Sequence, residues 1–394
     1  MTGQQRTDGG GRSDGGRPTV LVAGATGTQG GAVVDALASG AFGEFEVRGL
    51  TRDADGAGAR RLRERGVAVV AGDMTDRAAM DAAVAGVDAV FGVTAGDPAT
   101  ERAQGRTLVA AAADAAVERY VFSSGGAAHT TPGIPHVDAK GDVETAVWAA
   151  FPDATVLRPF SFHSNFERQR AEIEAGRLAF PLPEGARHAT VDPRDIGRTA
   201  AAALADPEAF AGVAVPLVAE RLALAELADV FADVLGREVE PVRVPLASLD
   251  EGFAAFMRFL ATVEADPEAF REAVPFEPYT LREYLVDAGW GSEGPAACRW
   301  TRGGSGQPER AVTPVSPTRA LMRAGAERRA MACPHLDYRE SDGERSFDTA
   351  RAFCTVTDEF VQPVHADICN ERYGLDPEAD CEVFRADAGL DWDE

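Results

Sequence analysis

Two groups of residues could do chemistry. The first is Gly24-Ala25-Thr26-Gly27-Thr28-Gln29-Gly30, a G-x-x-G-x-x-G run that follows the apolar Thr19-Val20-Leu21-Val22-Ala23 and precedes the helical run Ala32 to Ala38. At a strand-to-helix junction Gly24 permits a tight turn, Gly27 lets the backbone approach a pyrophosphate, and Gly30 lets the helix lie close on the strand. The helix N-terminus then offers unpaired N–H groups to phosphates, and Thr26, Thr28 and Gln29 border them. The second group is His136-Val137-Asp138-Ala139-Lys140, with Ser123 thirteen residues before His136. A spacing of four at a helix start places His136 and Lys140 on one face. Lys140 is the only lysine among 39 basic residues. In a chain that otherwise uses arginine, a lone lysine points to a need for a compact, titratable ammonium.

These groups need elements to hold them, and apolar strand-like runs alternate with Ala-rich helical stretches from Pro18 to about Trp290. Strands are expected at Thr19–Ala23, Phe45–Leu50, Val67–Ala71, Ala89–Thr94 and Tyr120–Phe122, with a long helix from about Thr100 to Ala116. Strands alternating with helices predict a doubly wound parallel sheet of Rossmann type, whose ligands gather at the carboxyl ends of the strands. There the second strand ends in Thr51-Arg52, the third in Gly72-Asp73-Met74, the fourth in Thr94 and the fifth in Ser123-Ser124. Asp73 and Met74 are placed to border an adenine; the serines are equally suited to capping a turn. An acid about 20 residues beyond the glycines favours NAD, whereas the guanidinium of Arg52 can fork onto a 2′-phosphate. NADP(H) is therefore expected over NAD(H), with Asp53 next door as the opposing feature.

Charge narrows the class further. Asp and Glu number 63, the net charge is −24, and hydrophobic residues make up 45%, enough for a substantial core. So negative a field repels phosphate backbones, so direct nucleic-acid binding is not expected. No run of 18 apolar residues and no N-terminal apolar segment is present, which predicts a cytoplasmic protein without a membrane span. The acid excess suits a salt-rich cytoplasm, hence a halophilic source; GC-rich coding alone would explain the missing lysines but not the acids.

Composition divides the chain into a Gly-rich tail (1–17), a cysteine-free domain (18–290), a linker (291–330) with seven arginines and three acids, and an acidic module (331–394). The last carries Cys333, His335, Cys354, Cys369 and Cys381. Clustered thiols beside a histidine in a reducing compartment suggest a zinc site, although paired C-x-x-C knuckles are absent; buried inert cysteines are the alternative. The module resembles small Cys-containing haloarchaeal proteins, and a fused or misjoined reading unit fits its abrupt start equally well.

Ser123 with His136-x-x-x-Lys140 resembles the Ser, Tyr-x-x-x-Lys arrangement of short-chain dehydrogenases/reductases, with His136 in the tyrosine's place. Together with Thr51-Arg52, Gly72-Asp73, Glu101…Gln104-Gly105, Pro135-His136…Lys140-Gly141…Glu144, Leu157-Arg158-Pro159-Phe160…Asn165-Phe166, Asp192…Asp195-Ile196-Gly197 and Gly289-Trp290, this makes residues 18–290 similar to the NmrA-like family. The resemblance implies an NAD(P)-binding Rossmann domain with a smaller α/β substrate-side subdomain. Lys140 would hold the nicotinamide ribose, Arg158 would border the cofactor, and pocket walls would come from residues 158–170 and from a later region with Phe253, Phe256, Phe259 and Phe270. His163 would face the nicotinamide or serve as a cap. The family contains both reductases of quinones and similar substrates and proteins that bind NADP and change partners with its state. An imidazole is a less apt acid than tyrosine here, which favours the redox-responsive regulator with a protein partner over an NAD(P)H-dependent oxidoreductase.

Overall fold

The computed structural model describes residues 16–291, together with the backbone of three strands between 336 and 360. The main domain begins with strands and helices in strict alternation: β1 (Thr19–Val22), α1 (Thr28–Ala38), β2 (Glu46–Thr51), α2 (Ala57–Glu64), β3 (Ala68–Ala71), α3 (Arg77–Val84), β4 (Ala89–Val93), α4 (Pro98–Asp114), β5 (Arg119–Ser123), α5 (Pro135–Ala150) and β6 (Thr155–Pro159). Next come β7 (Ser161–Phe162), α6 (Arg170–Glu174), β8 (Arg177–Phe180), β9 (His188–Val191), α7 (Pro193–Ala205) and β10 (Ala214–Leu217). β11 (Glu220–Leu222), α8 (Leu224–Leu235), β12 (Glu240–Arg243), α9 (Glu251–Thr262), α10 (Pro267–Ala273) and α11 (Leu281–Asp287) complete it.

Seven parallel strands form one sheet in the order β10-β6-β5-β4-β1-β2-β3. Its middle is the Rossmann order, with the direction of winding reversing between β1 and β4. Both faces are covered, so the central strands β1 and β4 are apolar along nearly their whole length rather than alternating. Val20 and Val22 join a core with Val33, Leu37, Ile196, Leu204 and Phe270, while Leu21 and Ala23 point the other way into a core with Met80, Leu108, Val143 and Trp148. A third core, with Phe166, Leu178, Phe231, Leu281 and Trp290, holds a smaller subdomain containing two short sheets, β11-β9-β7 and β12-β8. The expected Rossmann domain with a second, smaller α/β part is therefore the observed architecture.

Two helices begin earlier than the sequence pattern predicts, each for a local reason. α1 starts at Thr28, four residues before the expected Ala32, because only Gly24 to Gly27 are needed to turn the chain; Gln29 and Gly30 belong to the first helical turn. α4 starts at Pro98, since Asp97 caps it by accepting from the N–H groups of Ala99 and Thr100 and proline fits the first helical position.

Beyond the main domain, β13 (Leu336–Ser341), β14 (Ser346–Cys354) and β15 (Glu359–Phe360) form an antiparallel sheet with Leu336 opposite Cys354. Among the proposed metal ligands, Cys354 ends β14, whereas Cys333, His335, Cys369 and Cys381 lie outside the described residues. Among the described residues no group of three His, Cys, Asp or Glu is placed to hold a metal. No described helix is long and apolar enough to cross a membrane.

Candidate functional site

The turn after β1 is where the winding reverses. Gly24 has φ +58°, a conformation that disfavours side chains, and the Gly27 N–H closes the turn onto its carbonyl at 2.8 Å. A Cβ on Gly30 would stand 2.6 Å from the Gly24 carbonyl carbon and 2.7 Å from the Ala23 oxygen, both backbone atoms. Glycine at that point lets α1 rest directly on the end of β1. Gly27 precedes α1 without a side-chain cap, and Thr26, Gly27 and Thr28 are exposed. The first turn of α1 thus has N–H groups with no intrahelical partner, facing open space at the positive end of the helix dipole.

Around this turn the carboxyl ends of the neighbouring strands carry the other expected residues. Arg52 and Asp73 are exposed after β2 and β3, and the Arg52 charge reaches Asp73. The Asp73 carboxylate accepts from the N–H of Thr75 at 2.8 Å and from its hydroxyl at 2.7 Å, and these bonds, led by the backbone one, hold it below the usual carboxylate range. Met74 packs on the core beneath. Buried Thr94, just past β4, donates to Glu101 Oε2 at 3.0 Å, and Lys140 Nζ donates to the same oxygen at 2.8 Å. Nearby the Ala95 N–H donates to Gln104 Oε1 at 3.0 Å. Ser123, at the end of β5 and fully buried, donates to Gln29 Oε1 at 2.6 Å, joining the fifth strand to the first turn of α1.

Sequence reasoning placed Lys140 at this edge but missed its counter-ion. Glu101 lies in the first turn of α4, once Asp97 and Pro98 are read as the helix start, on the same buried face as Gln104 and Leu108. An acid at a buried helical position was the available signal. His136 is exposed in the first turn of α5, whereas Lys140, one turn on, is mostly enclosed.

Two residues stand apart from the expected cofactor edge. Arg158 is 2% exposed and its Nη2 donates to Glu144 at 2.8 Å with Nε at 3.3 Å from both carboxylate oxygens. Its guanidinium is held inside the fold by a carboxylate of α5 instead of bordering a ligand surface. The adjacent imidazole of His129 is pushed down to about 3, first by burial and then by the Arg158 charge. His163 is fully buried rather than at the surface; its Nε2 is 3.2 Å from Thr190 Oγ1 and its Nδ1 is 3.9 Å from Asp192. Of the aromatics proposed as pocket walls, Phe270 is sealed in the main core and Phe253 is largely exposed on α9. Only a shallow depression, with room for about one water, lies between Phe160, Leu182, His188, Met257 and Leu260. Phe160 connects it to the strand edge, since its ring lies against Gly126.

A second charged cluster ties the two parts of the domain together. Asp192 caps α7 and is gripped by Arg194, whose Nη1 also reaches Asp287 at 2.6 Å. Burial alone would raise Asp192, but the His163 and Arg194 contacts outweigh it and leave it at about 2. Asp195 accepts from Arg198 at 2.8 Å and from the Tyr279 N–H at 2.7 Å, yet burial pushes it up to about 7. At the domain's end Glu167 accepts from Trp290 Nε1 at 2.7 Å.

Known proteins share both sequence and fold with this chain. An NAD(P)H azoreductase from Xenophilus azovorans is 32% identical over 260 residues, 65% of this chain and 87% of that protein. A (4-alkanoyl-5-oxo-2,5-dihydrofuran-3-yl)methyl phosphate reductase from Streptomyces griseus is 35% identical over 60% of this chain and 80% of its own. Among solved structures, the Citrobacter triphenylmethane reductase complexed with NADP(H) has a TM-score of 0.59 at 23% identity, covering 69% of this chain and 99% of that one. NmrA, a negative transcriptional regulator in complex with NADP, has a TM-score of 0.54 at 21% identity, covering 63% and 82%. The NmrA-like family model matches residues 17–293, and the chain belongs to that family.

Proposed function

We propose that this chain binds NADP(H) along the carboxyl edge of its parallel sheet and passes a hydride to a small planar acceptor of the azo or quinone type. The single observation that carries this is the uncapped, exposed start of α1 at the winding reversal, where the backbone forms a cradle and Gly30 leaves no room for a side chain. The residues present suit the dinucleotide. The α1 N–H groups would hold the diphosphate, Arg52 would fork onto the 2′-phosphate, Asp73 and Met74 would border the adenine, and Lys140 would hold the nicotinamide ribose. Once bound, the dinucleotide supplies the hydride. Glu101, itself held by the Thr94 hydroxyl, fixes the Lys140 ammonium, and the Ser123–Gln29 bond locks the α1 turn to β5. The relatives above 30% identity with named activities are reductases, which supports the oxidoreductase over the regulator.

Thermal melting in high salt against NADPH and NADH tests binding, since saturation at 100 Kd adds about 2.7 kcal/mol. NADPH oxidation with azo dyes and quinones tests turnover. A melting point unmoved by either dinucleotide would refute the site. The exposure of His136, where the related enzymes of the wider superfamily place a tyrosine acid, favours a second function, a protein that binds NADP(H) and changes partner with its redox state. NADPH binding without oxidation by any acceptor, with a partner captured only in one cofactor state, is the outcome that selects it.

A further inference from the structure

The loop between β2 and α2 contains a contradiction: Arg52 suits a 2′-phosphate, yet the next residue, Asp53, is an acid that would accept from a ribose 2′-hydroxyl and repel that phosphate. The loop fixes the acid in one place. Asp53 Oδ1 accepts from the Asp55 N–H at 3.1 Å, and the Asp53 N–H donates to Thr51 Oγ1 at 3.4 Å. Its carboxyl lies so close over Gly56 that a Cβ there would stand 2.8 Å from Asp53 Cγ. Two arginines of α2 reach back to the same loop. Arg63 Nη1 donates to the Ala54 carbonyl at 2.7 Å, and Arg60 Nη1 donates to the Asp55 carbonyl. The helix that carries them is itself seated against the glycine turn, because a Cβ on Gly58 would meet Thr26 Cγ2 at 2.8 Å.

We propose that Arg60 and Arg63 are positioning residues for cofactor choice: by tying down the carbonyls of residues 54 and 55 they keep the Asp53 carboxylate over Gly56, leaving Arg52 alone to meet the 2′-phosphate. This rests on the NADP(H)-binding function above. It differs from simple charge attraction, in which the two arginines would favour a phosphate by their own field and Asp53 would play no part.

All four side chains are exposed, so their substitution leaves the cores intact. Dissociation constants for NADPH and NADH, measured by fluorescence titration on the full chain, give the preference ratio. Arg60→Ala with Arg63→Ala is expected to lower the NADPH preference about tenfold, chiefly by tightening NADH, a modest effect because exposed contacts are individually weak. Asp53→Ala alone is expected to change the ratio by less than about twofold, and adding it to the double variant to restore most of the lost preference, the signature of coupled sites. Gly56→Ala displaces the carboxylate without touching an arginine and should shift the ratio the same way. An unchanged ratio in the double variant, or a triple variant as unselective as the double, overturns the proposal. A wild-type chain that binds neither dinucleotide overturns the cofactor function itself, whereas NADPH binding with an unmoved ratio overturns only the role of the arginines.

Discussion

Substituting Glu144 by alanine separates a structural Arg158 from a ligand-binding one. The guanidinium is 2% exposed and Glu144 1% exposed, and their contact runs through one 2.8 Å bond and two at 3.3 Å. Removing the carboxylate takes away the counter-charge that Glu144 gives the buried Arg158 cation, and the neighbouring imidazole of His129, which burial and that cation keep neutral, carries no negative charge to replace it. Breaking a buried pair from one side costs about 3–5 kcal/mol, whereas replacing both partners by apolar groups of similar volume is often neutral. At roughly 2–4 °C per kcal/mol for a domain of this size, Glu144→Ala should lower the melting temperature by about 6–20 °C. The double variant Glu144→Leu, Arg158→Met should recover most of that loss. Urea denaturation of the wild type, Glu144→Leu, Arg158→Met and their double variant gives the coupling energy, and NADPH titration of the same proteins gives the affinity. A Glu144→Ala chain that melts like the wild type, or an Arg158→Met, Glu144→Leu chain that folds normally but no longer binds NADPH, would falsify the structural account.

Other perturbations are equally direct. Gly30→Ala must push α1 off β1, because the atoms it meets are backbone; loss of dinucleotide binding in a destabilised but folded chain is expected, and unaltered NADPH affinity would count against the cradle. Lys140→Met leaves the buried Glu101 without its ammonium and should cost about 1–3 kcal/mol of stability as well as weakening NADPH binding, while Lys140→Arg should keep the ion pair but lower turnover. Retention of full turnover by the methionine variant would remove Lys140 from the site. Stability should also fall in acid: His188, held down to about 4 by burial and then by His163, and His129, at about 3, contribute stability present above their unfolded value of 6.5 and lost as pH falls toward those folded values. Asp195, raised to about 7 by burial, acts oppositely, its contribution being full below about pH 4 and lost as pH rises through 7. Asp195→Asn should therefore steepen the acid loss between pH 4.5 and 6.5 by about 1.4 kcal/mol per pH unit, and an unaltered slope in urea melts at those pH values would refute this.

Much of this protein was legible from local chemistry alone. Glycines at a strand-to-helix junction have few uses, and the alternation of buried strands with Ala-rich helices leaves the doubly wound sheet as the economical way to cover both faces. The lone lysine marked its own position because every neighbour of its type is arginine. Apolar periodicity places helix starts late where a capping residue and a proline precede it, as at Asp97 and Pro98. What sequence could not supply were pairings across the sheet. Glu101 meets Lys140 from 39 residues away and Ser123 meets Gln29 from 94, distances along the chain that periodicity does not encode. Arg158 shows the same limit in reverse, since a motif can mark an arginine as important without revealing which face of its strand it occupies. There the sheet aims it at Glu144, because a buried guanidinium without a carboxylate would not survive folding. Residue type and spacing determined the fold class and the edge proposed for a ligand; burial and long-range pairing decided which charges remain exposed along it.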